Sequence, residues 1–312
     1  MPLDPFLAAK VHLIEDVDWL RAQEDPALMA RLNEFFEDPQ EPRVPDVVIE
    51  DRRIPGPHGE IDVRVYRPRS TPVRGLVWAH GGGFVAGDLD MPEAHLVAAE
   101  LAARADALVV SVGYRLAGDG VHYPVPIDDV HAAWRWFVGP QNADQLPSGP
   151  VALGGASAGA ALALSTAVRL RDEGGRVPDA LLLAYPFVHF PNPALDDETA
   201  AGMRELPAML RFTTDSIEEM VRNYVGRLSD LPPDAMPGAA PLAGLPRTAI
   251  LLAEYDDLRA SGDLLAKQLA EVDVRVRTYR AAGMLHGHLN RSASLKEVDR
   301  SLDFFAESLR EG

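Results

Sequence analysis

The chain has 312 residues, with 30 lysines and arginines against 47 aspartates and glutamates, a formal charge of −17, and no cysteine. The missing cysteine excludes structural disulfides, a thiol nucleophile and cysteine-ligated zinc or iron–sulfur centres. The negative charge repels phosphate backbones and no dense Lys/Arg run offsets it locally, so no nucleic-acid partner is expected; 47% hydrophobic residues suffice for a sizeable core.

The N-terminus lacks a basic start followed by an apolar run, and no stretch of 18 apolar residues occurs anywhere, so neither a secretory signal nor a membrane span is expected and the default location is the cytoplasm. Residues 1–45 read as a helical segment, with Leu28, Met29, Leu32, Phe35 and Phe36 at helical spacing, ending in a linker broken by Pro39, Pro42 and Pro45. Val47–Ile54 and Glu60–Tyr66 flank Pro55-Gly56-Pro57-His58-Gly59 and predict a hairpin-like pair. Apolar runs follow at Gly75–Ala79, Ala107–Val112, Val151–Gly154, Ala180–Ala184, Thr248–Ala253 and Val274–Tyr279. Helical patterns lie between them at 92–105, 127–138, 158–173 and 259–272, with a last one near 292–310. This alternation predicts an α/β fold: about eight strands in a mostly parallel sheet covered on both faces, the first two or three strands not parallel to the rest.

Residues 187–235 interrupt the alternation. Ile217, Met220, Val221, Tyr224 and Val225 mark an amphipathic helix there, and Asp215 with Glu218 resembles a capping box. An insertion of this length after a strand reads as a cap over a site. The remaining spans, 46–186 and 236–312, read as one catalytic domain.

The strongest chemical signal is Gly155-Ala156-Ser157-Ala158-Gly159, a G-x-S-x-G run between a strand and a helix. A serine there sits on a sharp turn with its Oγ pushed outward, and the flanking glycines avoid a clash in the tight bend. The helix N-terminus behind it favours developing negative charge. The second signal, His80-Gly81-Gly82-Gly83-Phe84, follows an early strand and brings backbone amides within reach of a ligand. Gly81, Gly83 and Ala86 also fit the dinucleotide fingerprint G-x-G-x-x-G/A, but that motif opens a helix at once, and here Pro92 delays the helix. A serine nucleophile needs a base, and the base an orienting carboxylate. Glu254, Asp256 and Asp257 end one late strand, and His286 and His288 end the last.

The ordered set H-G-G-G-F, G-x-S-x-G, E-Y-D-x-L-R and G-M-x-H-G resembles the hormone-sensitive-lipase-type (bacterial family IV) carboxylesterases of the α/β-hydrolase fold, over about residue 60 to the C-terminus. Tyr114-Arg115-Leu116-Ala117, Pro241-Leu242 and Gly244-Leu245-Pro246 extend the likeness. It implies Ser157 as nucleophile, Asp256 as acid and His286 as base. It further implies oxyanion-hole amides from Gly82, Gly83 and Ala158, with His80, Gly81, Gly155 and Gly159 supporting them. Residues 1–45 and 187–235 would together form the cap. The substrate would be a small-molecule ester with a short-to-medium acyl chain, with no cofactor and no metal; a homodimer is implied by the family alone. Two positions depart from the pattern: Ala156 stands where the family has the Asp of G-D-S-A-G, and Gly113 where it has the Asp of D-Y-R-L-A-P-E.

Competing assignments remain at this level. His288 competes as base, and Asp257 and Glu254 compete as acid. The same machinery would serve a lactonase, amidase or deacetylase, and a small-molecule receptor on a hydrolase scaffold is a rival from another class. His12, His58, His95, His122, His131 and His189 are scattered and read as surface or packing residues, and Trp134, Trp136 and Phe137 as core.

Overall fold

The computed structural model describes residues 2–142, 144–229 and 231–311, and of Trp19 and Leu20 the backbone alone. Three short helices come first: α1 (Pro5–Lys10), α2 (Trp19–Glu24) and α3 (Pro26–Phe36). Asp25 caps α3 by accepting the Ala27 N–H at 2.9 Å, and Pro26 takes the first helical position, where a missing N–H costs nothing. β1 (Val47–Gly56) and β2 (Gly59–Pro68) form the expected antiparallel hairpin. Then come β3 (Arg74–Ala79), α4 (Pro92–Ala105), β4 (Ala107–Gly113), α5 (Val125–Phe137), β5 (Val151–Ala156), α6 (Ala158–Asp172) and β6 (Ala180–Ala184). After α7 (Asp197–Arg204) and α8 (Thr214–Val225), the chain resumes with β7 (Arg247–Tyr255), α9 (Arg259–Glu271), β8 (Val276–Leu285) and α10 (Lys296–Arg310).

The described strands make one eight-stranded sheet in the order β1-β2-β4-β3-β5-β6-β7-β8. β2 is antiparallel to both neighbours and every other pairing is parallel. The expectation of two or three deviant strands is thereby corrected to β2 alone, because two successive antiparallel pairings return β1 to the common direction. Three boundaries also differ. β8 starts later and runs further than Val274–Tyr279, because the weakly β-forming Ala-Ala-Gly-Met stretch is recruited by pairing with β7. α10 starts at Lys296 and not 292, because Asp38 accepts the Ser292 N–H at 2.6 Å and holds that stretch in a turn. Thr213, and not Asp215, caps α8 through the Ser216 N–H at 3.2 Å, so the expected capping box does not form.

Side-chain alternation along the buried strands divides the core into two layers. Val77, Leu153, Leu183 and Ile250 face one layer with residues of α5, α6 and α9, and Ile217, Val221 and Tyr224 of α8 join it. Leu76, Trp78, Leu182 and Leu251 face the other with α4 and α10, and Leu7, Ile14, Leu32 and Phe35 of the N-terminal segment join that one. Leu206, Met209 and Leu210 of the insertion also pack against this second layer. Trp134 and Phe137 are core, and Trp136 is half-buried against it. Among the described residues no helix is long and apolar enough to cross a membrane.

Candidate active site

β5 ends at Ala156, α6 begins at Ala158, and Ser157 forms the bend between them at φ 52°, ψ −116°. An L-residue there is strained, and the surrounding packing must hold it. The bend works only if the chain passes very close to the end of β3. A Cβ on Gly159 would lie 2.2 Å from the Ala79 carbonyl oxygen, and one on Gly155 would lie 2.6 Å from the same atom. This is why small residues flank the serine.

His286 follows the last residue of β8, and Asp256 follows the last residue of β7. The His286 Nε2 lies 2.9 Å from the Ser157 Oγ, and its Nδ1 lies 2.8 Å from Asp256 Oδ2. The carboxylate can only accept, so Nδ1 carries the proton and Nε2 accepts from the serine hydroxyl. Asp256 is buried, and its other oxygen takes the Leu258 N–H at 2.8 Å. Tyr185 and Phe212 pack on the imidazole, each with ring centroid 4.8 Å away. Burial opposes the charged imidazolium, but the charge and hydrogen bond of Asp256, with help from Glu93 and Asp257, outweigh it and raise the His286 pKa above the usual histidine range.

The glycine loop lies at the end of β3. Gly82 (φ 110°) and Gly83 (φ 61°) occupy the left-handed side of backbone space, which other residues adopt at a cost. A Cβ on Gly82 would meet the Ala86 carbonyl oxygen at 2.0 Å, and one on Gly83 would meet Met220 at 3.2 Å. Among the described residues the amides of Gly82, Gly83 and Ala158 donate to no protein group. Gly81 differs: its N–H goes to Glu93 Oε1 at 2.8 Å. His80 is buried beneath the loop, its ring stacked on Tyr114 and its Nδ1 donating to the Gly81 carbonyl at 2.7 Å.

Of the competing residues, His288 is buried with Nε2 3.0 Å from Ser301 Oγ, and burial pushes its pKa down to about 3. Asp257 is occupied by the Arg211 guanidinium at 2.8 and 3.0 Å and by the Phe212 N–H at 2.8 Å. Glu254 accepts the Gly283 N–H at 2.7 Å. His58 bonds Asp128, His95 bonds Tyr66, His122 bonds the Asn223 carbonyl, and His189 bonds Ser261 and Gln268. The helix after the glycine loop begins only at Pro92, as a dinucleotide fingerprint would not allow.

Sequence reasoning missed four contributors. Glu93, in the first turn of α4, is buried, bonds the Tyr185 hydroxyl and lies 3.4 Å from the Asn290 amide nitrogen. Burial raises its pKa, while the Tyr185 hydroxyl, the Gly81 N–H and the charge of His286 pull it down. Tyr185 directly follows β6, at the same sheet edge as Ser157 and Asp256, and that position was the signal available. Phe212 and Arg211 carried none, because their contact with Asp257 is made across the fold.

Comparisons with known proteins bear on the fold and the family. Residues 76–290 match a family described as having the alpha/beta hydrolase fold. The chain is 36% identical over 261 residues to Esterase LipI of Mycobacterium tuberculosis, covering 80% of this chain and 78% of that protein. It is 37% identical over 274 residues to Carboxylesterase NlhH of the same organism, covering 84% and 81%. A Pyrobaculum calidifontis esterase structure superposes with a TM-score of 0.80 at 31% identity, covering 99% of this chain and 98% of that one. Fold, motif order and similarity across most of its length converge: the chain belongs to the hormone-sensitive-lipase-like α/β-hydrolases and is a carboxylic ester hydrolase.

Proposed function

We propose that Ser157 is the nucleophile of a serine carboxylesterase acting on short-to-medium acyl esters. The observation that carries this is the unbroken hydrogen-bonded line from Ser157 Oγ through His286 to Asp256, at 2.9 and 2.8 Å. His286 Nε2 takes the hydroxyl proton as Oγ bonds to the ester carbonyl carbon. The oxygen of that carbonyl becomes an oxyanion held by the amides of Gly82, Gly83 and Ala158, each such donor being worth about 3 kcal/mol of barrier. The tetrahedral species collapses, the C–O bond to the alcohol breaks, and the imidazolium gives its proton to the leaving oxygen. Water then attacks the acyl-enzyme with His286 again as base, releasing the acid and restoring Ser157. Asp256 holds the tautomer and offsets the imidazolium charge.

The 187–235 insertion acts as the acyl-side cap, because Phe212 touches the base and Met220 covers Gly83. Residues 1–45 complete it: the Asp4 N–H donates to the Gly283 carbonyl at 3.0 Å, close to His286 in the chain. The test is hydrolysis of p-nitrophenyl esters from acetate to dodecanoate, with p-nitroacetanilide as an amide control. Wild type should cleave the shorter esters, and Ser157→Ala should not. Full activity in Ser157→Ala overturns the mechanism, and faster cleavage of the anilide favours an amidase.

A further inference from the structure

The motif E-Y-D-x-L-R leaves one position open, and Asp257 fills it. Asp256 gives its carboxylate to His286, whereas that of Asp257 goes to the insertion. Arg211 meets it with two prongs, Nε at 2.8 Å and Nη2 at 3.0 Å, and the Phe212 N–H donates to it at 2.8 Å. The Asp257 backbone carbonyl accepts from the Asn192 side-chain amide at 2.9 Å. One residue thus fastens the insertion at two separate places. A two-pronged arginine–carboxylate pair sets direction as well as distance, and with side chains 20% and 11% exposed little water competes for it.

Phe212 depends on that pair for its direction. Arg211 (φ −115°, ψ 145°) and Thr213 (φ −73°, ψ 161°) are both extended, and the Phe212 N–H between them is spent on Asp257. Helical hydrogen bonding therefore skips Phe212 on the way from the Ala208–Leu210 turn into α8. Thr213 is exposed and Phe212 half-buried. Of the two rings that pack on the His286 imidazole, Tyr185 is buried, and Phe212, edge-on at 71°, is the one that keeps exposed surface. On the Ser157 mechanism the leaving oxygen takes its proton from His286 Nε2, so the alcohol lies within hydrogen-bond reach of the base.

We propose that Phe212 selects the alcohol half of the ester, and that Asp257 and Arg211 are positioning residues acting through its ring. The inference rests on the Ser157 mechanism and narrows its substrate class to esters of unbranched primary alcohols ahead of secondary ones. A ring held 4.8 Å from the imidazole borders the first carbon of the alcohol, where an added methyl meets it. Without the pair the ring gives way and the methyl is admitted.

Comparing kcat/KM for ethyl butanoate and isopropyl butanoate, followed by acid release at constant pH, tests this. The acyl group is shared and one methyl differs, on the carbon next to the leaving oxygen. A ratio of two esters on one enzyme cancels the folded fraction and the ionisation of His286, so a merely structural role leaves it in place. Wild type should prefer the ethyl ester by about tenfold or more, as one methylene commands in a pocket. Phe212→Ala should cut that preference at least fivefold, and Asp257→Asn and Arg211→Gln at least threefold each. In the Phe212→Ala background neither should move it further, because the ring they aim is gone. If Asp257→Asn folds poorly, Arg211→Gln carries the same comparison. A preference unmoved in Phe212→Ala, or moved by the pair variants as strongly without the ring as with it, overturns the proposal. Hydrolysis surviving in Ser157→Ala overturns the mechanism beneath it. An unmoved preference with Ser157→Ala inactive overturns this inference alone, so the two failures are told apart.

Discussion

At the residue scale, the backbone of Ser157 ties stability to chemistry. Its φ of 52° and ψ of −116° cost an L-residue about 1–3 kcal/mol, a strain consistent with aiming Oγ at His286. Ser157→Ala keeps that strain and loses the hydroxyl, so kcat should fall by about 10⁴–10⁶ with the melting temperature nearly unchanged. Ser157→Gly should be equally inactive but melt higher than Ser157→Ala; equal melting would argue that the bend is not strained. Asp256 can be separated from Ser157 by pH. On the proposed mechanism His286 acts as base only when neutral, so the acid limb of kcat/KM reports its pKa, which is raised above the ordinary histidine range. Asp256→Asn removes the main raising influence and leaves burial, so the limb should move to lower pH while kcat drops about 10⁴-fold. A limb that stays in place would remove Asp256 from its role. Glu93→Gln should move the limb the same way by less, since Glu93 raises the His286 pKa more weakly.

Elements decide what each motif can reach. The Ser157 bend and the glycine loop were legible in the sequence because both are local: a strand, a turn that tolerates only small neighbours, and a helix. The strand ends carrying Asp256 and His286 were legible because parallel strands deliver their carboxyl ends to one edge. Glu93 was not, because the first turn of a helix is where a carboxylate ordinarily faces solvent. Phe212 was not, because Asp257 catches Arg211 and the Phe212 N–H from 46 and 45 residues away and sets the ring on His286. Met220 on α8 lies over Gly83 so closely that a Cβ there would meet it at 3.2 Å. On the cap proposal, Met220→Ala opens the acyl side. The ratio of kcat/KM for octanoate to that for butanoate should then rise about fivefold or more, in line with the 1–3 kcal/mol that a methylene is worth in a pocket. An unchanged ratio would place the acyl chain elsewhere.

Across the whole molecule, the N-terminal segment is tied to the stretch after β8 by a buried pair. Arg291 and Asp38 meet at 3.3 Å with side chains 7% and 6% exposed, and the same guanidinium bonds the Phe35 carbonyl at 2.9 Å. Burial pulls the Arg291 pKa down and Asp38 resists it. Asp38→Ala leaves that charge unpaired and should cost about 3 kcal/mol or more in denaturant unfolding, with ester selectivity intact. Removing residues 1–40 should lower stability similarly and alter acyl-chain preference as well. Unchanged preference would confine the segment to a structural role.

The separation of Ser157 from His286 by 129 residues has a kinetic meaning. The two meet only after β5, β6, β7 and β8 have paired side by side, the slow and non-local part of building such a sheet. On the proposed mechanism, turnover regained after dilution from denaturant should therefore clock the docking of the final strand. Helical signal should return well before the first product is released.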